Sequence, residues 1–273
     1  MKNACKNICT VALISLKKTS LYSVIDDFTS KIDINNVDSL EINQFYTYIS
    51  QKYSIKCEMG MLFIEKMVVY NLFHKFKLNK NSSNRLLNEK ILLYQWIKPE
   101  HLKLPKDIDL QQNIADFHKI HRSNVPSVKI FYLMKAVKHL YKKIGETTSY
   151  DTILSCIIYC LIRSKIKDLF VHISFMRMFR RDYFNDCNAK CDHGFSININ
   201  CDCLISYNWK NEEKYYLTTC EAAIEWIQKV EYYNLSIEIN EFEKEITDKM
   251  KNLNFTKKNE SLSPHFEHKY VTE

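Results

Sequence analysis

The sequence predicts an all-α protein, and three observations support this prediction. Of its 273 residues, 46% are apolar, which is enough for a sizeable buried core. Only 3 glycines and 4 prolines are present, few for a chain of many short strands joined by tight turns. Most apolar residues recur at the i, i+3, i+4 spacing that places them on one face of a helix.

Three helices are predicted in the first hundred residues, over 39–56, 58–77 and 86–97. A polar loop, Asn79 to Asn84, separates the last two, and Pro99 ends the third because a proline disfavours helix at the residue before it. Residues 1–35 are ambiguous, since an apolar run from Ile8 to Leu16 is followed by a polar stretch.

Six further helices are predicted over 109–121, 127–144, 151–165, 167–181, from Thr218 or Thr219 to Val230, and over 237–252. Gly145 is a typical C-terminal stop for the second of these. The helix over 151–165 is apolar almost all round, so we expect it to be central and buried. Residues 182–213 are predicted to be an irregular, cysteine-rich insertion, and the polar tail over 256–273 is expected to be flexible.

The charge pattern argues against nucleic-acid binding. The net charge is +7, and the lysines are spread along the chain with no dense basic block. Arg177, Arg180 and Arg181 form a local basic cluster, which is either plain surface or a contact for an acidic partner or membrane. No stretch approaches the ~20 apolar residues of a spanning helix, so a soluble cytoplasmic protein is expected.

Four short segments occur in a fixed order between residues 96 and 223: Trp96 to Leu102, His121 to Lys129, Asp151 to Tyr159, and Tyr215 to Ala223. Their order and spacing resemble the Vps-nine (vacuolar protein sorting nine) domain over about residues 96–235. In that family the domain is the catalytic unit of guanine-nucleotide exchange factors for Rab-five-type small GTPases.

The resemblance implies a domain organisation and a function. It implies an N-terminal helical bundle over 1–95, packed on a layered Vps-nine-like exchange domain over 96–255 with its insertion at 182–213. The function implied is release of GDP from a Rab-five-like GTPase in endosomal or vesicle traffic, without covalent chemistry. Peripheral membrane association is left open. The rival is a catalytically weak module of the same type that binds a GTPase, a tethering protein or a coat protein as a scaffold.

The resemblance also assigns site residues. Asp151 matches the acid that reaches into the GTPase's nucleotide site, and Tyr215 and Thr218 match residues that contact the switch regions. Three further positions, Ile153, Ser155 and Ala222, would line a groove between the two helices that carry those residues. Ser155 and Thr152 depart from the family pattern, which has a proline and a second acid at these positions.

Structural alternatives stay open at each position. Ser149 or Asp151 is predicted to cap the helix that follows, where an acid is favoured by the helix dipole. Thr218-Thr219-Cys220-Glu221 has the pattern of a capping box at a helix start. Tyr215 is a packing residue in the alternative interpretation, and Tyr216 is expected to point inward.

The insertion raises the question of a metal site. Cys187, Cys191, Cys201 and Cys203, with His193 between them, are ligand types that bind zinc tetrahedrally. Their C-x3-C and C-x-C spacings differ from the common C-x2-C knuckle, so an irregular loop with free cysteines is preferred over zinc. Apart from this zinc alternative, no cofactor is expected.

Overall fold

The computed structural model describes residues 20–53, 55, 58–145, 148–180 and 210–253, and these contain helices and no strands, so the all-α prediction is confirmed. Ten α-helices lie in the described ranges: α1 Ser20–Lys31, α2 Ser39–Lys52, α3 Glu58–Asn79, α4 Asn81–Leu93, α5 Gln111–His118, α6 Pro126–Ile144, α7 Tyr150–Ser164, α8 Leu169–Phe179, α9 Lys210–Lys229 and α10 Ile239–Asn252. Short 3-10 turns occur at Pro99–Leu102, Lys119–Arg122 and Tyr232–Asn234.

Local sequence signals explain several helix ends. Asp38 caps α2, where its carboxylate accepts a 2.7 Å hydrogen bond from the Glu41 backbone N–H. Pro126 begins α6, where its missing N–H costs nothing. Gly145 ends α6 at a φ of 93°, in a region of backbone space that side-chain-bearing residues rarely adopt.

Several predicted boundaries were wrong. The helix predicted over 86–97 ends at Leu93, well before Pro99. The helix expected to begin at Thr218 or Thr219 begins at Lys210, so these threonines lie in its interior and the capping-box interpretation fails. Glu212 and Glu213 place acids in the first turn of α9, where the helix dipole favours negative charge. The predicted loop over 79–84 is reduced to a break at Lys80, because α4 already begins at Asn81.

The buried apolar residues form two clusters. The larger cluster contains residues of α4, α5, α6, α7, α9 and α10. Its least exposed members include Tyr94, Phe117, Leu140, Leu161 and Ile227. The smaller cluster contains residues of α1, α2 and α3, among them Ile42, Ile64 and Leu72. Helix α8 belongs to both, because Ile173 and Met176 pack in the larger cluster and Phe175 and Phe179 in the smaller one. The expectation that the 151–165 helix is central is confirmed, since eight of its side chains are buried.

Buried cysteines on α7 behave as small apolar groups, as the sequence predicts. Cys156 and Cys160 are fully buried, and burial raises the pKa of the Cys156 thiol to about 12. Several predictions lie outside the described residues: the apolar run from Ile8 to Leu16, most of the insertion over 182–213, and the flexible tail. The predicted end of the insertion was wrong, because residues 210–213 belong to α9. Within the described ranges, no helix has the length and apolar character needed to cross a membrane.

Candidate functional site

Helix α7 presents a carboxylate at its exposed N-terminal end. Ser149 is the N-cap, and its hydroxyl accepts a 3.3 Å hydrogen bond from the Thr152 backbone N–H. Of the two predicted caps, Ser149 is therefore the one that caps the helix. Asp151 lies in the first turn with its side chain exposed. Among the residues that the structure describes, none forms a hydrogen bond or ion pair with the Asp151 carboxylate, which leaves all its acceptor sites available.

A group of tyrosines lies beside this carboxylate and links α6, α7 and α9. The rings of Tyr150 and Tyr215 meet edge to face with centroids 6.4 Å apart, and Tyr215 and Tyr216 are 5.2 Å apart. Tyr216 in turn lies 5.8 Å from Tyr141 of α6. Tyr150 and Tyr215 remain 46% and 47% exposed, whereas Tyr216 is half-buried against the larger core cluster, which agrees with its predicted inward orientation.

The environment of Tyr215 and Tyr216 favours the protonated form of their hydroxyls. Partial burial raises the pKa of Tyr215, and a hydrogen bond with Tyr141 adds to the shift. Burial and the same neighbour also raise the pKa of Tyr216. Tyr215 therefore presents a neutral ring and hydroxyl to the surface, with no negative charge beside the Asp151 carboxylate.

Thr218 follows Tyr215 by one helical turn and lies on the same exposed face of α9. Its hydroxyl accepts a 2.9 Å hydrogen bond from Nη2 of Arg177, which projects from α8. Arg177 also donates from Nε to Glu221 at 2.9 Å, and its Nη2 contacts the second oxygen of the same carboxylate. Glu221 thereby raises the pKa of the guanidinium, and the bidentate pair ties α8 to α9 at the exposed surface.

The three secondary candidates have different positions. Ser155 on α7 and Ala222 on α9 are partly exposed and available at the surface. Ile153 is only 1% exposed and packs in the larger core cluster, so its predicted role as a groove-lining contact is wrong for this structure. It lies two residues after Asp151, and residues at that spacing face different sides of a helix.

Three residues of this surface were not predicted as site residues. Tyr150 immediately precedes Asp151 and is exposed as the first residue of the helix, although the helical phase places it on the same side as the buried Ile153 and Ile157. Arg177 was noted only as part of a basic cluster, and Glu221 only as part of a capping pattern. Their pairing joins residues far apart in sequence, for which local spacing carries no signal.

A buried polar contact lies between α6 and α8, on the side of the smaller apolar cluster. The Lys129 side chain is fully buried, and its Nζ donates to the Ile120 carbonyl at 3.0 Å and to His172 Nδ1 at 2.8 Å. Burial lowers the pKa of Lys129 to about 7, and burial with the adjacent lysine lowers the pKa of His172 to about 3. His172 therefore accepts from Lys129 as a neutral imidazole and holds α6 against α8.

No group of histidine, cysteine, aspartate and glutamate side chains suited to a metal occurs in the described part of the chain. The zinc candidates Cys187, Cys191, Cys201 and Cys203 all lie outside the described residues, as does His193.

Comparison with known proteins identifies one domain. Residues 110–232 match the family model of the Vacuolar sorting protein 9 (VPS9) domain. The match contains α5 to α9 and therefore all of Tyr150, Asp151, Arg177, Tyr215 and Thr218. A search of curated proteins gave no match.

Proposed function

We propose, from the match of residues 110–232 to the VPS9 domain family, that the chain is a guanine-nucleotide exchange factor for a Rab-five-type small GTPase. The observation that carries the proposal is the Asp151 carboxylate. It is exposed at the start of a rigid, largely buried helix, and in the described structure no partner neutralises it.

The chemistry of the GTPase explains what such a carboxylate does. GDP is held by the phosphate-loop lysine, by backbone amides and by a magnesium ion. A carboxylate inserted at that point offers the lysine another partner and places negative charge beside the phosphates. Both effects weaken the binding of GDP and metal, and neither requires a covalent step.

Exchange of this kind is catalysis by differential binding. The chain must bind the nucleotide-free GTPase more tightly than the GDP-bound form. By linkage, it then weakens GDP binding by the same factor. We expect Tyr215 and Thr218 to contact the switch regions, with Ser155 and Ala222 at the edges of the same surface.

We propose a wider setting on the same basis. Residues 1–95 would form the N-terminal bundle and 96–255 the exchange domain, with the insertion entering directly before α9. The protein would act in the cytoplasm, recruited peripherally to endosomal or vesicle membranes. Zinc in the insertion remains the alternative to free cysteines at positions 187, 191, 201 and 203.

The test is release of fluorescent GDP from a panel of purified Rab proteins, with the full chain added at increasing concentration. We expect acceleration with at least one Rab-five-type member. Binding without acceleration would support the scaffold function instead, and neither binding nor acceleration across the panel would refute both.

A further inference from the structure

We propose that Tyr150 is a further partner-contacting residue, and that the rings of Tyr150 and Tyr215 form one aromatic platform for an apolar patch of the GTPase. The inference rests on the proposed function. It adds a residue from α7 to the contact made by α9, immediately beside the Asp151 carboxylate.

The exposure of the two rings is the first observation. Tyr150 and Tyr215 are each nearly half exposed, whereas their neighbour Tyr216 is packed against the core. Aromatic side chains stabilise a fold mainly through the surface area that they bury. Two adjacent rings that stay exposed to water therefore contribute little of that stability. Exposed aromatic clusters of this kind are typical of protein-binding surfaces, where tyrosine is among the most enriched residues.

The rigidity of the platform is the second observation. Tyr150 is the first residue of α7, directly after the Ser149 cap, and Tyr215 lies within the second turn of α9. Their edge-to-face contact at 6.4 Å, and the backing of Tyr215 by Tyr216 at 5.2 Å, hold both rings before any partner arrives. Side chains that are ordered in advance lose little conformational entropy on binding.

The neighbouring charge defines the chemistry of the partner surface. The platform itself consists of two uncharged aromatic side chains. Asp151 follows Tyr150 directly, so a complementary surface presents apolar or aromatic side chains next to a cation. In a small GTPase, an apolar switch surface beside the phosphate-loop lysine has this character. Docking on the platform would bring the Asp151 carboxylate to that lysine.

The experiment separates binding from the exchange step. Rates of GDP release are measured over a range of concentrations of the full chain, for Tyr150→Ala and for Tyr150→Phe. We expect Tyr150→Ala to raise KM about tenfold, the effect of losing one well-packed contact at an interface, while kcat changes little because Asp151 remains. Tyr150→Phe keeps the ring and should behave as the wild-type chain does.

Two further variants test whether the effect is specific to Tyr150 and to the uncharged ring. Tyr233→Ala removes another exposed tyrosine, on the 3-10 turn at Tyr232–Asn234, and should leave KM unchanged. Tyr150→Glu keeps a residue favourable at the start of a helix but puts a charge on the platform, so it should raise KM more than Tyr150→Ala does. If Tyr150→Ala proves unstable, the KM of Tyr150→Glu serves as the test of the platform.

The outcomes distinguish this inference from the proposed function. Wild-type exchange with an unchanged KM in both Tyr150→Ala and Tyr150→Glu overturns the platform and leaves the exchange function standing. A fall in kcat without a rise in KM also overturns it, because that pattern indicates a loss of transition-state stabilisation. If the wild-type chain neither binds nor accelerates any GTPase, both proposals fail.

Discussion

Replacing Asp151 by asparagine tests the proposed mechanism with the smallest change of shape. The substitution removes the negative charge and keeps the size of the side chain. Its cost to folding should be small, because the side chain is exposed and the N-cap is Ser149. Only the favourable interaction with the helix dipole is lost, about 0.3–1 kcal/mol.

The effect on exchange should be much larger. Truncating one member of a charge pair that is desolvated in a complex costs about 2–5 kcal/mol. Since about 1.4 kcal/mol corresponds to a factor of ten, kcat/KM for GDP release should fall by roughly 30-fold to several thousandfold. The asymmetry between a small folding cost and a large loss of exchange is the signature that the mechanism requires.

The assay is fluorescent-GDP release at several chain concentrations, together with urea unfolding of each variant. Glu41→Gln is the matched control, because Glu41 is an exposed acid in the first turn of α2, on the smaller apolar cluster. It should lose a similar, small amount of stability and retain full exchange. If Asp151→Asn retains exchange to within about threefold, below the range expected for a broken buried charge pair, then the carboxylate does not act on the nucleotide site.

Three other predictions concern folding and metal content. Burial lowers the pKa of Lys129 to about 7, so the unfolded chain binds more protons between that pH and the ordinary lysine value of 10.5, and stability should rise with pH over this window. Urea unfolding at pH 7 and pH 9.5 should show this rise in the wild-type chain relative to Lys129→Met, and parallel changes in the two proteins would contradict it. Ser149→Ala should lower the free energy of unfolding by about 1 kcal/mol, the usual value of a lost N-cap, and no change in urea unfolding would mean that Asp151 or water replaces the cap. Metal analysis of the purified chain by mass spectrometry should find clearly substoichiometric zinc, whereas one zinc per chain would assign Cys187, Cys191, Cys201 and Cys203 as ligands.

The parts of the fold that the sequence predicts well are those governed by local pattern. The buried character of α7 follows from apolar residues on all its sides, and the end of α6 follows from Gly145. The assignment of Asp151 as the key acid comes from the order of the motifs and stays a prediction. The structure adds that Ser149 is the cap, which local sequence left open because serine and aspartate are both good N-caps.

The errors have physical causes. A threonine followed three residues later by glutamate is a capping pattern, yet Thr218 lies inside α9. The next residue, Thr219, is accommodated in the helix because its hydroxyl donates to the Tyr215 carbonyl at 3.0 Å, a bond that does not interrupt the helix. Ile153 was expected to line the groove as a residue of the helix that carries Asp151, although the helical phase turns its side chain into the core.

The sequence could not predict contacts between side chains on different helices. The contact of Arg177 with Thr218 and Glu221 joins α8 to α9 across the insertion, and the buried contact of Lys129 with His172 joins α6 to α8. Such contacts depend on how the helices pack, which residue spacing within one helix does not encode.

The affinity of the chain for its GTPase in two nucleotide states tests the central claim most directly. Titration calorimetry would compare the nucleotide-free GTPase with the same protein saturated with GDP and magnesium. Differential binding predicts much tighter binding to the nucleotide-free form, with GDP affinity weakened by the same factor in the complex. Equal affinity for the two forms would contradict exchange by Asp151 and would make the chain a scaffold.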